Sequence, residues 1–277
     1  MSSEEGTDAT GEIDTLDWDS LKNILLLEDR GLISLVGAGG KTTLMFSLAK
    51  RMKDCGKTVL TTTTTKIFVP AISLSPATVV SEAPKVLLPE IKRLLKLHGH
   101  VSAGAGYLKE HDKIRGFASE MIARLWQSGA ADWIIVEADG AAGRPLKAPA
   151  SHEPVIPAVT SHLVAVAGLS AIGLPLDERH VFRTDRYAAL TGLSSGETIT
   201  SSSVAAALLH SEGIMKGAPC EVQRFVFLNK ARREDLHETG EEIAALLQEG
   251  CRGKLKRIFI GSAEEDPAHW KCVNTGS

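Results

Sequence analysis

Leu32-Ile33-Ser34-Leu35-Val36-Gly37-Ala38-Gly39-Gly40-Lys41-Thr42-Thr43 is the stretch on which the reading of this chain turns. Leu32 to Val36 is a short apolar run suited to a buried strand, and Thr42 to Asp54 carries helical spacing that Gly56 stops. Between them, three glycines let consecutive backbone N–H groups turn inward, while the new helix adds its own unsatisfied N–H groups and the positive end of its dipole. Such a turn is an anion nest. Gly37, Ala38, Gly39, Gly40, Lys41, Thr42 and Thr43 are therefore the expected phosphate cradle. Lys41 is in position to reach the β- and γ-phosphates, and the Thr42 hydroxyl to ligate Mg²⁺.

The loop departs from the usual G-x-x-x-x-G-K-[ST] spacing, because five residues before Gly40 stands Leu35, inside the strand. It is the compact G-x-x-G-K-T-T variety. A dinucleotide fingerprint would need glycine where Thr42 stands, and an acid at the end of the second strand, which instead runs into Thr61 to Thr65.

Outward from this turn the pattern alternates. A helix is expected from Trp18 through Leu21, Ile24 and Leu25, and strands over Lys57–Thr62, Asp132–Val136, Leu163–Ala167, Arg224–Leu228 and Arg257–Ile260. Further helices are expected over Pro84–His98, Lys113–Gln127, from Thr184, and over about Arg233–Glu249. Short continuous apolar strands alternating with amphipathic helices argue for an α/β, P-loop-type three-layer fold, with a mostly parallel sheet of about six strands. Residues 1–16 read as a disordered acidic tail and 17–277 as a single P-loop NTPase-like domain, with no linker-like boundary inside it.

The end of the third strand, Ile134-Ile135-Val136-Glu137-Ala138-Asp139-Gly140, brings two carboxylates to the carboxyl edge of the sheet. That is where an NTPase keeps its magnesium partner and its water-orienting group. Glu137 and Asp139 are both candidate catalytic and metal-binding residues alongside Lys41, and spacing does not choose between them. Thr64 and Lys66 follow the second strand; the threonine run is either β-propensity carried past the strand end or hydroxyls and an ammonium set beside the phosphates. Residues 140–157 hold four of the chain's 11 prolines and read as an ordered loop carrying Arg144, Lys147, His152 and Glu153 as substrate or partner contacts. Phe225 to Lys230 ends in Asn229-Lys230, and Ile258 to Ala263 ends in Ser262-Ala263, as base-reading strands do. A guanine reader needs aspartate where Arg232 stands, so ATP and GTP both remain open as the nucleotide.

Composition excludes other classes. The 277 residues are 43% hydrophobic and 23% charged, enough to bury a sizeable core. Residues 1–19 carry seven acids and no base, which leaves 31 basic against 27 acidic residues, too mild a surplus for nucleic acid. Cys55, Cys220, Cys251 and Cys272 are too scattered for a zinc knuckle or disulfide framework, and read as thiols in a reducing cytoplasm. Pro154 to Leu176 lacks Asp, Glu, Lys and Arg but contains three prolines and two glycines, so a buried strand with turns is expected there, and no membrane partner.

Taken together, the chain resembles the YqeC family, accessory proteins of selenium-dependent hydroxylases. The resemblance rests on VGAGGKTTL at 36–44, TTTTTKIFVP at 61–70, VEADGAAGRPLKAPASHEPVIP at 136–157 and HVFRTDRYAALTGL at 180–193. It implies an NTP-driven role in maturing a molybdenum hydroxylase that carries selenium, and adds His180 and Arg183 as substrate or partner candidates. The compact loop is also similar to that of the Mur ligases, which make an acyl phosphate. Three functions follow as expectations: a magnesium-dependent slow NTPase serving as a maturation factor, a phosphoryl-transfer or ligase-type enzyme with a small acceptor, and a nucleotide-gated binding module.

Overall fold

A computed structural model describes residues 18–275. The expected tail at 1–16 lies outside the described residues. In chain order the elements are α1 (Trp18–Leu25), β1 (Gly31–Gly37), α2 (Lys41–Asp54), β2 (Val59–Thr63), β3 (Lys66–Phe68), β4 (Thr78–Val80), α3 (Pro84–His98), β5 (His100–Gly104), β6 (Gly106–Leu108), β7 (Lys113–Arg115) and α4 (Ser119–Gln127). There follow β8 (Trp133–Glu137), β9 (Leu146–Lys147), β10 (His162–Gly168), β11 (Val181–Phe182), α5 (Thr184–Thr191), α6 (Ser201–Leu209), β12 (Gln223–Asn229), α7 (Glu234–Gly250), β13 (Arg257–Gly261) and β14 (Lys271–Asn274).

The main sheet has nine strands in the order β14-β13-β12-β10-β1-β8-β2-β5-β4, all parallel except the edge strand β14. The chain leaves β1, passes through α2 and returns as β2 two places away, with β8 later filling the gap. All six expected strands lie in this sheet. Three more join it. β5, His100-Val101-Ser102-Ala103-Gly104, is fully buried although two of its five side chains are polar. The Thr61 hydroxyl satisfies them, lying 3.0 Å from His100 Nε2 and 2.7 Å from Ser102 Oγ. β4 has only three residues, and β14 is a largely exposed edge.

Alternation along the strands feeds two faces. Ile33 and Leu35 pack with Leu44, Met45, Leu48 and Met52 of α2. Leu32 packs on the opposite face with α3 and α4, and the neighbouring half of that face is covered by α5, α6 and α7. Helices on both sides of a parallel sheet make the three layers of the α/β, P-loop-type fold.

The expected helix over Lys113–Gln127 is corrected. Residues 113–115 form β7, the centre of a small antiparallel sheet β3-β7-β6, and α4 begins only at Ser119. Gly116 is the cause: a Cβ there would lie 2.2 Å from the Thr63 carbonyl oxygen, and its N–H donates to the Thr65 carbonyl at 2.6 Å. The chain docks flat against the end of β2, where a helix cannot go. Pro154 to Leu176 contains the buried strand β10, as expected. No helix among the described residues is long and apolar enough to cross a membrane.

Candidate functional site

The site grows from the turn between β1 and α2. Gly37, Gly39 and Gly40 take φ of 94°, 84° and 127°, conformations that L side chains rarely adopt. At Gly40 a Cβ would come within 2.1 Å of Asn229 Nδ2, and at Gly39 within 2.5 Å of the Gly168 nitrogen. The loop is therefore pressed against the ends of β12 and β10. Gly40 provides no side-chain cap for α2. The N–H groups of Gly39 to Thr43 have no hydrogen-bond acceptor among the described residues. The Gly37 and Ala38 amides are already spent, on Asp139 Oδ2 at 3.1 Å and on the Val166 carbonyl at 2.9 Å. Those two residues shape the loop; the open donors start at Gly39.

Lys41 is buried with its ammonium over the loop, donating to the Gly37 carbonyl at 2.6 Å and lying 3.1 Å from Asp139 Oδ1 and 3.8 Å from Glu137 Oε1. Burial disfavours its charge, yet the two carboxylates outweigh it and hold the lysine above its ordinary pKa. Glu137, the last residue of β8, accepts from the Thr42 hydroxyl at 2.7 Å. Its burial pushes its carboxyl upward against the pull of Lys41 and Thr42.

Asp139 stands apart from Glu137 in its commitments. It is wholly buried, with Lys41 on one oxygen, and Lys147 Nζ (2.9 Å) and the Gly37 amide on the other. Lys147 in turn donates to Glu153 Oε2 at 2.8 Å and to the Gly140 carbonyl at 2.6 Å. Glu153 receives both arms of Arg183, at 2.6 and 2.9 Å. Burial would raise the Glu153 carboxyl, but Arg183 and Lys147 overcome it and hold it at about 2. Lys41, Asp139, Lys147, Glu153 and Arg183 thus form one chain of alternating charge, running from the phosphate loop to the start of α5. The proline-bearing segment supplies its middle and is anchored by it, with residues 146–150 buried.

Asn229, at the end of β12, ties the loop to the far half of the sheet. Its Nδ2 donates to the Gly39 carbonyl at 2.7 Å, and its Oδ1 accepts from the Lys230 and Ala263 amides at 2.8 and 2.9 Å. With both ends committed, Asn229 positions the loop. Beside it opens a cavity of about 340 Å³ between Lys230, Ser262 and Ala263, where Arg232 is ion-paired with Glu264. This cavity shares Gly40, Thr43, Lys230 and Glu264 with a groove of about 710 Å³ over the phosphate loop.

The remaining candidates are spread along the edge. Thr64 donates its N–H to the Glu137 carbonyl at 3.1 Å, and Lys66 lines the groove. The threonines before them are structural: Thr61, Thr62 and Thr63 bond within the sheet, Thr63 to the Glu137 carbonyl at 2.8 Å. Arg144 lines the groove while donating to the Glu178 and Ala142 carbonyls. His180 is held in a turn by Asp177 and the Pro175 carbonyl, away from the loop. His152 is exposed and lines a second groove. Sequence reading passed over Lys113 and Arg115, hidden in the mistaken helix, and over Glu264, whose only signal was its place two residues after Ser262.

A family model described as YqeC protein matches residues 33–185. The YqeC protein of Escherichia coli strain K12 is 34% identical over 242 residues, covering 86% of this chain and 89% of the relative. Among solved structures, FtsY from Mycoplasma mycoides has a TM-score of 0.41 at 12% identity, over 94% of this chain and 69% of that one. HypB from Helicobacter pylori in complex with nickel has a TM-score of 0.36 at 12% identity, over 90% and 86%. The strand–glycine turn–helix, the carboxylates of β8 and the proline-bearing segment that the alternating charges hold in place all lie within the matched span, and the chain belongs to the YqeC family.

Proposed function

We propose that this protein binds a magnesium nucleoside triphosphate at the compact loop, hydrolyses it slowly, and acts as an accessory factor in maturing a selenium-dependent molybdenum hydroxylase. The observation that carries the first part is the uncapped start of α2, with Lys41 and the Thr42–Glu137 pair turned to the same groove. The hydroxylase as partner comes from the family resemblance alone.

The residues suit magnesium. Thr42 and Glu137 offer hard oxygens 2.7 Å apart at the head of the loop. A site with few protein ligands is what Mg²⁺ takes when phosphates and water complete its shell. Magnesium would supply neutralisation of the charge on the phosphate oxygens.

Lys41 would compensate the β- and γ-phosphates, and Asp139 would position Lys41. In hydrolysis a water oxygen bonds to the γ-phosphorus as the β–γ bridging bond breaks, giving nucleoside diphosphate and phosphate. Slow turnover is expected because Asp139 is ion-paired to Lys41 and Lys147, and Glu137 accepts from Thr42. Neither carboxylate is held clear of the loop's own side chains to orient that water. With Arg232 in the guanine-reader's aspartate position, ATP and GTP are compared directly.

A second reading, transfer of the γ-phosphoryl group to a small acceptor, is favoured by the groove that continues past Gly140. Thermal unfolding with Mg·ATP and Mg·GTP, on wild type and Lys41→Ala, tests the core of the proposal. Ligand at a hundredfold over its Kd stabilises by about 2.7 kcal/mol. Wild type indifferent to both nucleotides overturns it. Phosphate release that rises with the hydroxylase supports the accessory role; release or product that rises with a small molecule alone favours the second reading.

A further inference from the structure

Three cavities lie end to end along the carboxyl edge of the sheet. The 340 Å³ cavity beside Asn229 joins the groove over the phosphate loop, and that groove joins a third, of about 750 Å³, through Lys66, Lys113, Gly140 and Ala142. If the first takes the base, the third lies beyond Glu137 and Gly140, at the γ-phosphate end.

The charge of the third groove is one-sided. Lys66, Lys113, Arg115 and Arg183 line it against a single acid, Glu153, which is already spent on Lys147 and Arg183. Lys66 and Lys113 have no ion pair among the described residues; Lys113 rests 4.6 Å over the Phe68 ring. Arg115 pairs, among the described residues, with Glu82 in a solvent-exposed contact of the kind that contributes little. Thr64 lines the same groove, and its buried hydroxyl has no hydrogen-bond partner among the described residues. Phe117, Val155 and Phe182 add apolar wall. Unspent cations, an unpaired hydroxyl and an apolar wall fit a small organic molecule that carries a carboxylate or phosphate.

We propose that this groove, walled by β7 and the residues after Gly140, holds a small organic anion as a second ligand beside the γ-phosphate. Its placement beside the phosphate rests on the nucleotide reading above; its chemistry does not. Lys113 and Arg115 are the selecting residues, brought to the groove by the small sheet β3-β7-β6.

The test uses the full chain, with phenyl phosphate and benzoate as probes and benzyl alcohol as the neutral control. Binding is followed by ligand-observed NMR, with and without a saturating non-hydrolysable Mg·nucleotide analogue. One or both anions are expected to bind in both conditions, the neutral control to fail, and the stronger anion to tell phosphate from carboxylate. Lys113→Glu combined with Arg115→Glu should weaken binding at least about tenfold, Lys113→Arg should keep it within about threefold, and higher salt should weaken it. Should the double variant unfold, the single Lys113→Gln and Arg115→Gln changes carry the same expectation. The proposal is overturned if neither anion binds, if the variants bind as wild type does, or if the analogue displaces the probe, which would put the probe on the phosphate loop. A wild type whose melting point ignores nucleotide sinks the function above while the anion arm still reads out.

Discussion

Replacing Lys147 by methionine removes the cation that bridges Asp139 and Glu153. The lysine side chain is wholly inaccessible, with carboxylate oxygens at 2.9 and 2.8 Å and the Gly140 carbonyl at 2.6 Å. Methionine fills similar volume, so the loss is electrostatic: two buried acids are left with Lys41 on one and Arg183 on the other. Removing one partner of a buried pair costs about 3–5 kcal/mol, because a charge stays behind without compensation. At about 2–4 °C per kcal/mol, the scale for domains of a couple of hundred residues, the melting point should fall by roughly 6–20 °C. Urea unfolding checks this, with the midpoint lowered and the m-value unchanged. Two further readouts separate charge from packing. The deficit should shrink as pH drops toward 4, because the uncompensated carboxylates take up protons and cease to be buried charges. Adding Asp139→Asn to Lys147→Met should recover part of the loss, a coupling only contacting groups produce. A deficit under about 1 kcal/mol, or one that ignores pH, would refute the alternating chain as a source of stability.

The glycine turn, the loop anchor and the acid limb give three more expectations. Gly40→Ala sets a Cβ 2.1 Å from Asn229 Nδ2 at a φ of 127°, so calorimetry should record a lower melting point, and added nucleotide should no longer raise it. Asn229→Ala strips three hydrogen bonds from the loop and the neighbouring strand ends; a stability loss of about 2–4 kcal/mol is expected, with weaker nucleotide binding by titration calorimetry. Glu153 is held at about 2 in the folded protein against an ordinary 4.5, so its contribution is complete above 4.5 and drains away as pH falls toward 2. Urea midpoints of Glu153→Gln should accordingly show a flatter slope across that window than those of wild type, and equal slopes would contradict the pairing with Arg183 and Lys147.

Much of this architecture could be read from local pattern. Ile134 to Val136 and Phe225 to Leu228 are continuous apolar runs, and Leu32 to Val36 is one broken by Ser34 alone; a strand covered on both faces accommodates such runs, and all three became central strands. β5 was illegible for the opposite reason. Its histidine and serine look like turn residues, and their burial is tolerable only because a threonine 39 and 41 positions earlier bonds to them. Ile114, Phe117 and Met121 carry helical spacing, but Gly116 sits where the backbone must touch the end of β2, and a tertiary contact overrode periodicity.

The candidate site divides along the same line. A glycine turn between a strand and a helix is a local object, so order along the chain was enough to mark Gly39 to Thr43 and the carboxylates of β8. The division of labour between those carboxylates needed three-dimensional neighbours. Glu137 meets Thr42, whereas Asp139 meets two lysines 98 positions before it and eight after it in the chain, a difference that two acids at i and i+2 do not reveal. Likewise Asn229 reached the loop across 190 residues. Backbone conformation answers mainly to adjacent residues, while the charge state and duty of a buried polar group answer to whatever the fold stacks against it, and that stacking exists only once the sheet is assembled.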